Sequence, residues 1–366
     1  MAKRIIIVVG TRPNFIKITQ FEKEFSKFPG EFEYTLIHTG QHHDTEMSEV
    51  FFKELKLKVP DIYLNISKSS AGEQIGVIIE KLSELFNEIE PDLIIVAGDV
   101  NSTLAAGISA NKCGIRLAHL ESGLRSGDWS MPEEINRVLV DKITDEFFVT
   151  EDSGIKNLQN EDHISGNIHF VGNTMIDAIV AFENDISSSK IMQQLNIKPK
   201  EFVLLTMHRP ANVDTKQKLL GLIEIIDFIL KDSKIVFPVH PRTMKMLKMF
   251  GLEKEIESRT DLLIIRPLGY LDFQNLIANA RVVLTDSGGI QEETTFHKIP
   301  CLTLRENTER PSTLTYGNNK LVPFDVDVIK KEMALIFNDQ IKPGQVPPLW
   351  DGKATERIVE VLRTII

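Results

Sequence analysis

Short apolar runs rich in isoleucine, valine and leucine alternate with longer amphipathic stretches along almost the whole chain. Ten of these runs have the length and composition of buried strands. They are residues 4–9, 34–39, 93–97, 115–118, 145–149, 202–206, 234–239, 261–265, 282–285 and 299–304. Between them, stretches such as 72–89 and 215–231 repeat apolar residues at helical spacing. Strands separated by helices need crossover connections, which predicts an α/β protein with parallel sheets covered by helices on both faces.

Two domains are expected from the length of 366 residues, since a domain takes roughly 150 residues. A polar stretch at 159–167, followed by Gly172, separates the strands into two series. The predicted domains are 1–170 and 171–351, both αβα layers of the nucleotide-binding type. A final helix at 352–366 is expected to cross back to the first domain. Ligands bind at the carboxyl ends of strands in doubly wound sheets, so we expect substrate in a cleft between the domains.

Charge and composition exclude several classes of protein. The net charge of −10 argues against general nucleic-acid binding, which needs a basic face, but local arginines and backbone amides can still hold a small anion. No apolar run approaches the roughly 20 residues that span a bilayer, and the first apolar run is too short for a signal peptide. We therefore predict a cytoplasmic protein without nucleic-acid or membrane partners. Cys113 and Cys301 are expected to be free thiols, and no metal-site spacing is present.

Polar residues follow the predicted strands of the first half directly. Arg12, in the turn Gly10-Thr11-Arg12-Pro13, would extend from a strand end toward an anion, although such turns are common between a strand and a helix. Asp99 fits a general base, a substrate anchor or a cap for the helix that follows it.

A third cluster in the same half is richer in acidic residues. Glu121, Glu133 and Glu134 place three carboxylates within thirteen residues of one another, beside His119 and Arg125. One of the adjacent pair is expected to complement a helix dipole. Three carboxylates are more than capping requires, so this cluster predicts acid–base chemistry.

Two histidines end successive strands of the second half. His208 and His240 suit phosphate binding or acid–base work there, although a lone histidine is more often structural. The segment Ser287-Gly288-Gly289 leads from a strand into a helix, and its free N–H groups and positive dipole end form a cradle for a pyrophosphate. Glu293, one helical turn further on, can accept hydrogen bonds from ribose hydroxyls. Arg310 follows the last predicted strand at the same sheet edge.

Taken together, these motifs resemble the non-hydrolysing UDP-N-acetylglucosamine 2-epimerases, and the match runs in order nearly from end to end. The matching motifs are Gly10 to Pro13, His38 to His42, Gly98-Asp99, His119 to Arg125, Pro132 to Arg137, Asp286 to Glu293 and Thr308 to Pro311. The resemblance implies the GT-B fold of two facing Rossmann-like domains, usually in a homodimer. It also implies that neither a metal nor a redox cofactor is needed.

The family's reaction is reversible inversion at C2 of a UDP-2-acetamido sugar, here UDP-N-acetylglucosamine or a close analogue, which supplies a precursor for surface polysaccharide. The resemblance implies anti elimination of UDP to a 2-acetamidoglucal, followed by re-addition. The family's acid–base residues correspond to Asp99, Glu121, Glu133 and His208. Its contacts to the UDP portion correspond to Arg12, His240, Ser287, Gly288, Gly289, Glu293 and Arg310.

Three segments depart from the family pattern. Ala211 stands where many members carry a glutamate three residues past the histidine that corresponds to His208. The segment Gln41-His42-His43-Asp44 differs from forms that bind substrate at a second, activating site, so we do not expect activation by substrate. The segment 126–131 also differs and is expected to tune the choice of sugar, with UDP-N-acetylglucosamine and UDP-2,3-diacetamido sugars both compatible.

Three other functions fit much of the same pattern. A hydrolysing epimerase would release UDP and free N-acetylmannosamine, and a GT-B glycosyltransferase would pass the sugar to an acceptor. A catalytically silent sensor of nucleotide sugars would lack the carboxylates that Asp99, Glu121 and Glu133 supply.

Overall fold

The computed structural model describes the chain as two compact units. The described residues are 2–40, 52, 54–66 and 70–366. The first unit comprises Met1–Ala181 together with Pro348–Ile366, and the second comprises Phe182–Pro347. Each unit contains one sheet of parallel strands.

The sheet of the first unit has seven strands in the order β3-β2-β1-β4-β5-β6-β7. They are β1 (Lys3–Val9), β2 (Phe32–His38), β3 (Ile62–Tyr63), β4 (Leu93–Ala97), β5 (Arg116–Leu120), β6 (Glu146–Val149) and β7 (Asn167–Phe170). Every residue of β4 is buried, because helices cover both faces of a parallel sheet. The strand order places β1, β4 and β5 side by side at the centre, with their carboxyl ends on one edge.

The helices of the first unit pack their apolar stripes on this sheet. The described ones are α1 (Arg12–Ile18), α2 (Phe21–Ser26), α3 (Ala71–Ile89), α4 (Asn101–Lys112), α5 (Pro132–Asp141), α6 (Asp152–Asn160) and α7 (Thr174–Ala181). In α3, Ile78, Leu82 and Phe86 are buried at four-residue spacing in the core beside β4. The side chain of Ser70 caps this helix by accepting a hydrogen bond from the backbone of Glu73 at 3.3 Å.

The sheet of the second unit has six strands in the order β10-β9-β8-β11-β12-β13. They are β8 (Phe202–Thr206), β9 (Lys234–Pro238), β10 (Leu262–Ile265), β11 (Val282–Thr285), β12 (Cys301–Leu304) and β13 (Asn319–Val322). Its helices are α8 (Glu183–Ser187), α9 (Ile191–Gln194), α10 (Pro210–Val213), α11 (Lys216–Ile229), α12 (Pro241–Met249), α13 (Glu253–Glu257), α14 (Tyr270–Asn279), α15 (Gly288–Phe296), α16 (Ser312–Thr315) and α17 (Val326–Phe337). The central strands β8 and β11 are neighbours, so the loops that follow them share one edge.

The last helix, α18 (Ala354–Ile365), belongs to the first unit although it follows the second in sequence. The buried carboxylate of Asp177 in α7 accepts hydrogen bonds from the backbone N–H groups of Ala354 and Thr355 at 3.0 and 2.6 Å, and from the Thr355 hydroxyl at 2.7 Å. Burial raises the pKa of Asp177 above its ordinary value, against the opposing effect of these donors. The indole N–H of Trp350 donates to the carbonyl of Thr150 at 3.0 Å.

All ten predicted strands are present at nearly their predicted bounds. The sequence did not predict β3, β7 and β13, because the first has two residues and the other two are only partly buried. Among the described helices, none combines the length and hydropathy needed to traverse a lipid bilayer.

Candidate active site

Asn14 connects the loop after β1 to the end of β4 through hydrogen bonds of its side chain. Asn14 Oδ1 accepts hydrogen bonds from the backbone of Gly10 and Thr11 at 3.2 and 3.1 Å. Its amide group donates to the carbonyl of Ala97 at 2.9 Å. Arg12, the first residue of α1, is half-buried at this same edge of the sheet.

Glu121 directly follows β5 and forms a buried ion pair with Lys17 of α1. Their side chains are 5% and 8% exposed. Glu121 has a φ of 67°, in the left-handed region that a non-glycine residue adopts only at a cost. The ammonium of Lys17 also lies 2.8 Å from the position that a Cβ would take at Gly98, whose φ of 67° favours glycine. Lys17 thus places a positive charge beside the carboxyl ends of β4 and β5.

Asp99, at the end of β4, is held from α5 by two consecutive residues. The carboxylate of Asp99 forms an ion pair with the guanidinium of Arg137. The side-chain amide of Asn136 donates to the Asp99 carbonyl at 2.9 Å. Both the side chain and the main chain of Asp99 are therefore fixed by α5.

The adjacent glutamates of α5 have different surroundings. Glu134 is almost fully buried and accepts hydrogen bonds from the backbone of Ser126 and Gly127 at 3.0 and 2.9 Å. Burial acts to raise the pKa of Glu134, but these backbone donors and Arg137 outweigh it and lower the pKa below its ordinary value. Glu133 is exposed in the same helical turn. Of the pair, Glu134 organises a loop and Glu133 is accessible to a ligand.

His119 and Arg125, which the sequence placed beside these carboxylates, belong to a buried network centred on Asp141. The two ring nitrogens of His119 lie 2.7 Å from Asp141 Oδ1 and 2.7 Å from the carbonyl of Gly98. Asp141 Oδ2 accepts hydrogen bonds from Gly123 at 3.1 Å and Arg125 at 2.7 Å. Burial raises the pKa of Asp141, but His119 and Arg125 outweigh it and the net direction is down. Through His119, this network contacts the backbone carbonyl of Gly98 and so stabilises the turn before Asp99.

In the second unit, Asp286 organises the loops that follow β8 and β11. Its carboxylate accepts hydrogen bonds from the backbone of His208 at 3.0 Å and of Arg209 at 2.8 Å, and from the Asn212 side chain at 3.2 Å. The ring Nδ1 of His208 lies 2.9 Å from Asp286 Oδ1. Burial raises the pKa of Asp286, but His208 and the backbone donors outweigh it and lower the pKa.

His240 lies beside His208, with ring centroids 5.3 Å apart. Its Nδ1 accepts a hydrogen bond from the backbone of Arg242 at 3.1 Å, which caps α12. Burial, followed by the charge of His208, lowers the pKa of His240. His240 is therefore neutral at pH 7, and its Nε2 carries the proton and can donate a hydrogen bond.

Helix α15 begins at the Ser287-Gly288-Gly289 segment after β11. A Cβ at Gly288 would lie 2.8 Å from Glu309 Oε1 and 3.2 Å from Arg310 Nη1. At Gly289, no atom of the described residues lies within 4 Å of the corresponding position. The amide groups of this helix end are therefore backed by charged side chains on one side and open on the other, an arrangement suited to a phosphate.

Charged side chains of opposite sign converge behind this helix end. Arg310 forms ion pairs with Glu309 and with Glu292, the latter at 3.0 Å. Arg305 lies 3.1 Å from Glu309 and is also buried. Burial is the largest influence on Arg305 and lowers its pKa. Arg305 and Arg310 thus place two buried guanidinium groups close together, and guanidinium groups are well suited to bind phosphate or carboxylate oxygens.

Glu293 directly follows Glu292 in α15 and is buried near Tyr270 of α14. Burial, followed by the charge of Glu293, raises the pKa of Tyr270 well above its ordinary value. The tyrosine therefore remains a neutral phenol beside an acidic side chain.

Within each unit, the predicted site residues collect at the carboxyl edge of the sheet. Arg12, Asp99 and Glu121 follow neighbouring strands β1, β4 and β5, and Glu133 lies in the first turn of α5, the helix that holds Asp99. His208, His240, Ser287, Gly288, Gly289, Glu293 and Arg310 follow β8, β9, β11 and β12 or lie in the helices that these loops begin.

Four residues with central contacts were not predicted as site residues: Lys17, Arg137, Asp286 and Arg305. Arg137 and Asp286 fall inside the matching motifs, whereas Lys17 lies in a short helix and Arg305 in the loop after β12. A charged residue at such positions usually faces solvent, so the sequence alone does not mark these four as site residues. Among the departures from the family pattern, Ala211 is exposed in α10, and Gln41 to Asp44 lie outside the described residues. Within the described part of the chain, no group of histidine, cysteine or acidic residues has the arrangement of a metal site.

The chain is similar in sequence to proteins of known family. The sequence profile described as UDP-N-acetylglucosamine 2-epimerase matches residues 23–363. A UDP-N-acetylglucosamine 2-epimerase homolog from Methanococcus maripaludis is 42% identical over 364 residues, covering 99% of this chain and 100% of the relative. A UDP-2,3-diacetamido-2,3-dideoxy-D-glucuronate 2-epimerase from Pseudomonas aeruginosa is 34% identical, covering 98% of this chain and 99% of the relative.

The chain is also similar to a solved structure over its whole length. The crystal structure of Methanocaldococcus jannaschii UDP-GlcNAc 2-epimerase in complex with UDP-GlcNAc and UDP matches with a TM-score of 0.88 and 38% identity, covering 99% of both chains. This similarity confirms the predicted fold class, a GT-B type chain of two parallel-sheet αβα domains, and the resemblance that the motifs indicated.

Proposed function

The chain belongs to the UDP-N-acetylglucosamine 2-epimerase family, and we propose that it interconverts UDP-N-acetylglucosamine and UDP-N-acetylmannosamine without hydrolysis. The observation that supports this proposal most is that acid–base groups lie in the first unit and an anion-binding site lies in the second. The first unit holds the carboxylates of Asp99 and Glu121 at neighbouring strand ends, and the second holds a helix terminus backed by arginines. Acid–base groups and an anion site are what removal and return of UDP require.

The reaction begins with transfer of the C2 proton to a carboxylate of the first unit. The electron pair of that C–H bond forms the C1–C2 double bond, and the bond from C1 to the β-phosphate oxygen breaks. UDP leaves with this electron pair, and the sugar becomes a 2-acetamidoglucal. A positioned base is needed because the C2 proton is only weakly acidic.

The return step reverses these events on the other face of C2. The phosphate oxygen of UDP adds to C1 as a second acid delivers a proton to C2, which inverts that carbon. Asp99, Glu121 and Glu133 supply the acid and base groups. After one turnover the base holds the proton taken from C2 and the acid has lost the proton it delivered, so exchange of protons with solvent restores both groups before the next cycle. No oxidant or reductant is consumed, and we therefore include no redox cofactor.

The UDP portion is assigned to the second unit. The helix amides at Ser287, Gly288 and Gly289, together with Arg310, receive the diphosphate, and His208 stabilises the charge of departing UDP. Arg12 of the first unit adds a further positive charge, His240 donates from Nε2, and Glu293 accepts from ribose. The Methanocaldococcus jannaschii relative, 38% identical, was solved in complex with UDP-GlcNAc and UDP, which supports a UDP-sugar as the ligand.

The sugar and the oligomer are parts of the same proposal. The Pseudomonas aeruginosa relative is named for a UDP-2,3-diacetamido glucuronate, so that sugar class is the comparison substrate in the test below. The segment 126–131, which carries the exposed Trp129, is the region that we assign to sugar choice. We also infer a homodimer without activation by substrate, which analytical ultracentrifugation and initial-rate kinetics measure directly.

The proposal is tested by incubating the protein with UDP-N-acetylglucosamine in D2O and following the products by NMR. Deuterium at C2 of an epimerised sugar that retains UDP supports the proposal. Free N-acetylmannosamine in stoichiometric amount with UDP would instead identify a hydrolysing epimerase. If the sugar neither exchanges nor turns over, while a UDP-2,3-diacetamido sugar does, the reaction stands but the proposed substrate is wrong. Inactivity with both sugars contradicts the proposal.

A further inference from the structure

Arg137 of α5 bridges two carboxylates from different parts of the first unit. Its guanidinium contacts Asp99 through Nη2 and Glu134 through Nη1, the latter at 2.5 Å. The side chain of Arg137 is 4% exposed and that of Glu134 is 2% exposed, whereas that of Asp99 is 21% exposed. Asp99 is therefore the one member of the trio that presents its carboxylate toward solvent and ligand.

The buried end of this trio also fixes a loop. Glu134 accepts hydrogen bonds from the backbone N–H groups of Ser126 and Gly127, which begin the segment 126–131. Arg137 consequently connects Asp99 to that loop through one shared carboxylate. The chain of contacts runs from the loop backbone to Glu134, then to Arg137, then to Asp99.

The chemistry of the guanidinium suits this connection. Its planar fork directs two N–H groups at fixed angles, so each carboxylate is held in orientation as well as by charge. A lysine has a single ammonium on a flexible stem and cannot reproduce both directions. Asn136 holds the main chain of Asp99, and among the described residues Arg137 is the group that pairs with the Asp99 carboxylate.

We propose that Arg137 is a positioning residue for proton transfer by Asp99, and that Glu134 is its fixed anchor. In this role Arg137 acts through Asp99 and is not itself a donor or acceptor of the transferred proton. This inference rests on the proposed function, because it assigns a partner to one of its acid–base groups. A proton transfer that depends on a near-attack geometry loses about 100-fold when the reacting group moves by about 1 Å.

The first measurement is the steady-state kinetics of Arg137→Gln and Arg137→Lys with UDP-N-acetylglucosamine. For Arg137→Gln we expect kcat to fall by about 100-fold while KM changes by less than about threefold. The lysine variant should recover part of kcat because it restores charge but not direction. With substrate deuterated at C2, the isotope effect on kcat should rise in both variants, since proton transfer becomes slower than the other steps.

A matched control is available on β5. Arg116 also pairs with a buried glutamate, Glu146, at 2.5 Å, but it begins the strand whose far end carries Glu121. Arg116→Gln should lower the melting temperature while leaving kcat near the wild-type value. A fall of kcat in this control as large as in Arg137→Gln would show that loss of stability explains both, and it would overturn the inference.

A double variant separates positioning from general damage. If Arg137 acts through Asp99, then Arg137→Gln should cause little further loss of kcat in an Asp99→Asn background. Fully additive losses, or wild-type kcat in Arg137→Gln, would overturn the inference while leaving the epimerase activity of the wild type intact. Absence of activity in the wild type would contradict the proposed function instead, and this inference with it. Should Arg137→Gln fail to fold, Glu134→Gln tests the same connection from its anchor.

Discussion

His208 is held by Asp286 through both its ring and its backbone. Nδ1 of the ring lies 2.9 Å from Asp286 Oδ1, and the backbone N–H of His208 donates to the same carboxylate at 3.0 Å. The lowered pKa of Asp286, which His208 and backbone donors impose against the effect of burial, keeps this carboxyl ionised. An ionised acceptor at Nδ1 fixes the proton there and turns Nε2 outward.

We therefore expect Asp286→Asn to impair catalysis by disturbing the tautomer and orientation of His208. The amide nitrogen of asparagine would face Nδ1 as a donor, which favours the wrong tautomer. The expected loss in kcat is on the order of 100-fold, measured by coupled assay of UDP-N-acetylmannosamine formation. An Asn212→Ala variant removes another partner of Asp286 without touching the ring. Equal losses in the two variants would contradict the tautomer argument.

Asp99→Asn and Glu121→Gln should each remove most turnover while leaving UDP binding nearly intact. Both carboxylates lie in the first unit, whereas the groups assigned to the diphosphate lie in the second. The expected decrease in kcat is at least about 100-fold, and calorimetric titration with UDP measures the affinity. A collapse of UDP affinity would show that these side chains are anchors and not acid–base groups.

In the absence of UDP, Gly288→Ala should lower the stability of the protein and Gly289→Ala should raise it. At Gly288 the added Cβ would displace Glu309 or Arg310, so we expect weaker UDP binding and lower stability. At Gly289 the space is open, and alanine should stabilise the helix by about 0.5–1 kcal/mol. If UDP occupies that space, Gly289→Ala raises Tm but weakens UDP binding. Unchanged UDP affinity in this variant would contradict the assigned phosphate position.

Stability should fall steeply in acid. Asp141, Asp286 and Glu134 all have pKa values below their ordinary values in the folded protein, since donors outweigh the effect of burial. Carboxyl groups of this kind stabilise the fold fully above about pH 5, and that contribution is lost as pH falls through the folded pKa values. We expect the difference in Tm between wild type and Asp141→Asn to be largest at neutral pH and to narrow below about pH 4. A difference that is constant with pH would contradict the assignment.

The last helix should depend on the carboxylate that caps it from α7. Asp177→Ala removes three accepted hydrogen bonds from Ala354 and Thr355, and we expect a loss of about 1–3 kcal/mol in the free energy of unfolding. Glu360 on the same helix is exposed and pairs with Arg363. We therefore expect Glu360→Ala to change the free energy of unfolding by less than about 0.5 kcal/mol. Urea denaturation measures both. Equal effects in the two variants would contradict the capping role.

The fold could be predicted from the sequence largely because parallel strands are buried on both faces. Such strands appear as continuous apolar runs, as Leu93–Ala97 does. Edge strands lack this signal, and Asn167–Phe170 and Asn319–Val322 were missed for that reason. The carboxyl ends of these strands then indicated where the residues expected to bind ligand would lie.

The partners of the site residues could not be predicted in the same way. Lys17 is one charged residue in the short helix α1, and only the packing of that helix brings it to Glu121. Likewise, two adjacent glutamates look equivalent in sequence, but the turn of α5 buries Glu134 and exposes Glu133. Such pairings depend on contacts between distant segments, which no local pattern records.

The membership of residues 348–366 in the first unit has a consequence for synthesis on the ribosome. The whole of the second unit, Phe182–Pro347, must leave the exit tunnel before Trp350 and α18 become available to the first. A nascent chain can therefore complete its later unit while its earlier one still exposes the surface that α18 will cover. A chain that stops before residue 354 would therefore lack part of the first unit, although the whole of the second unit would be present.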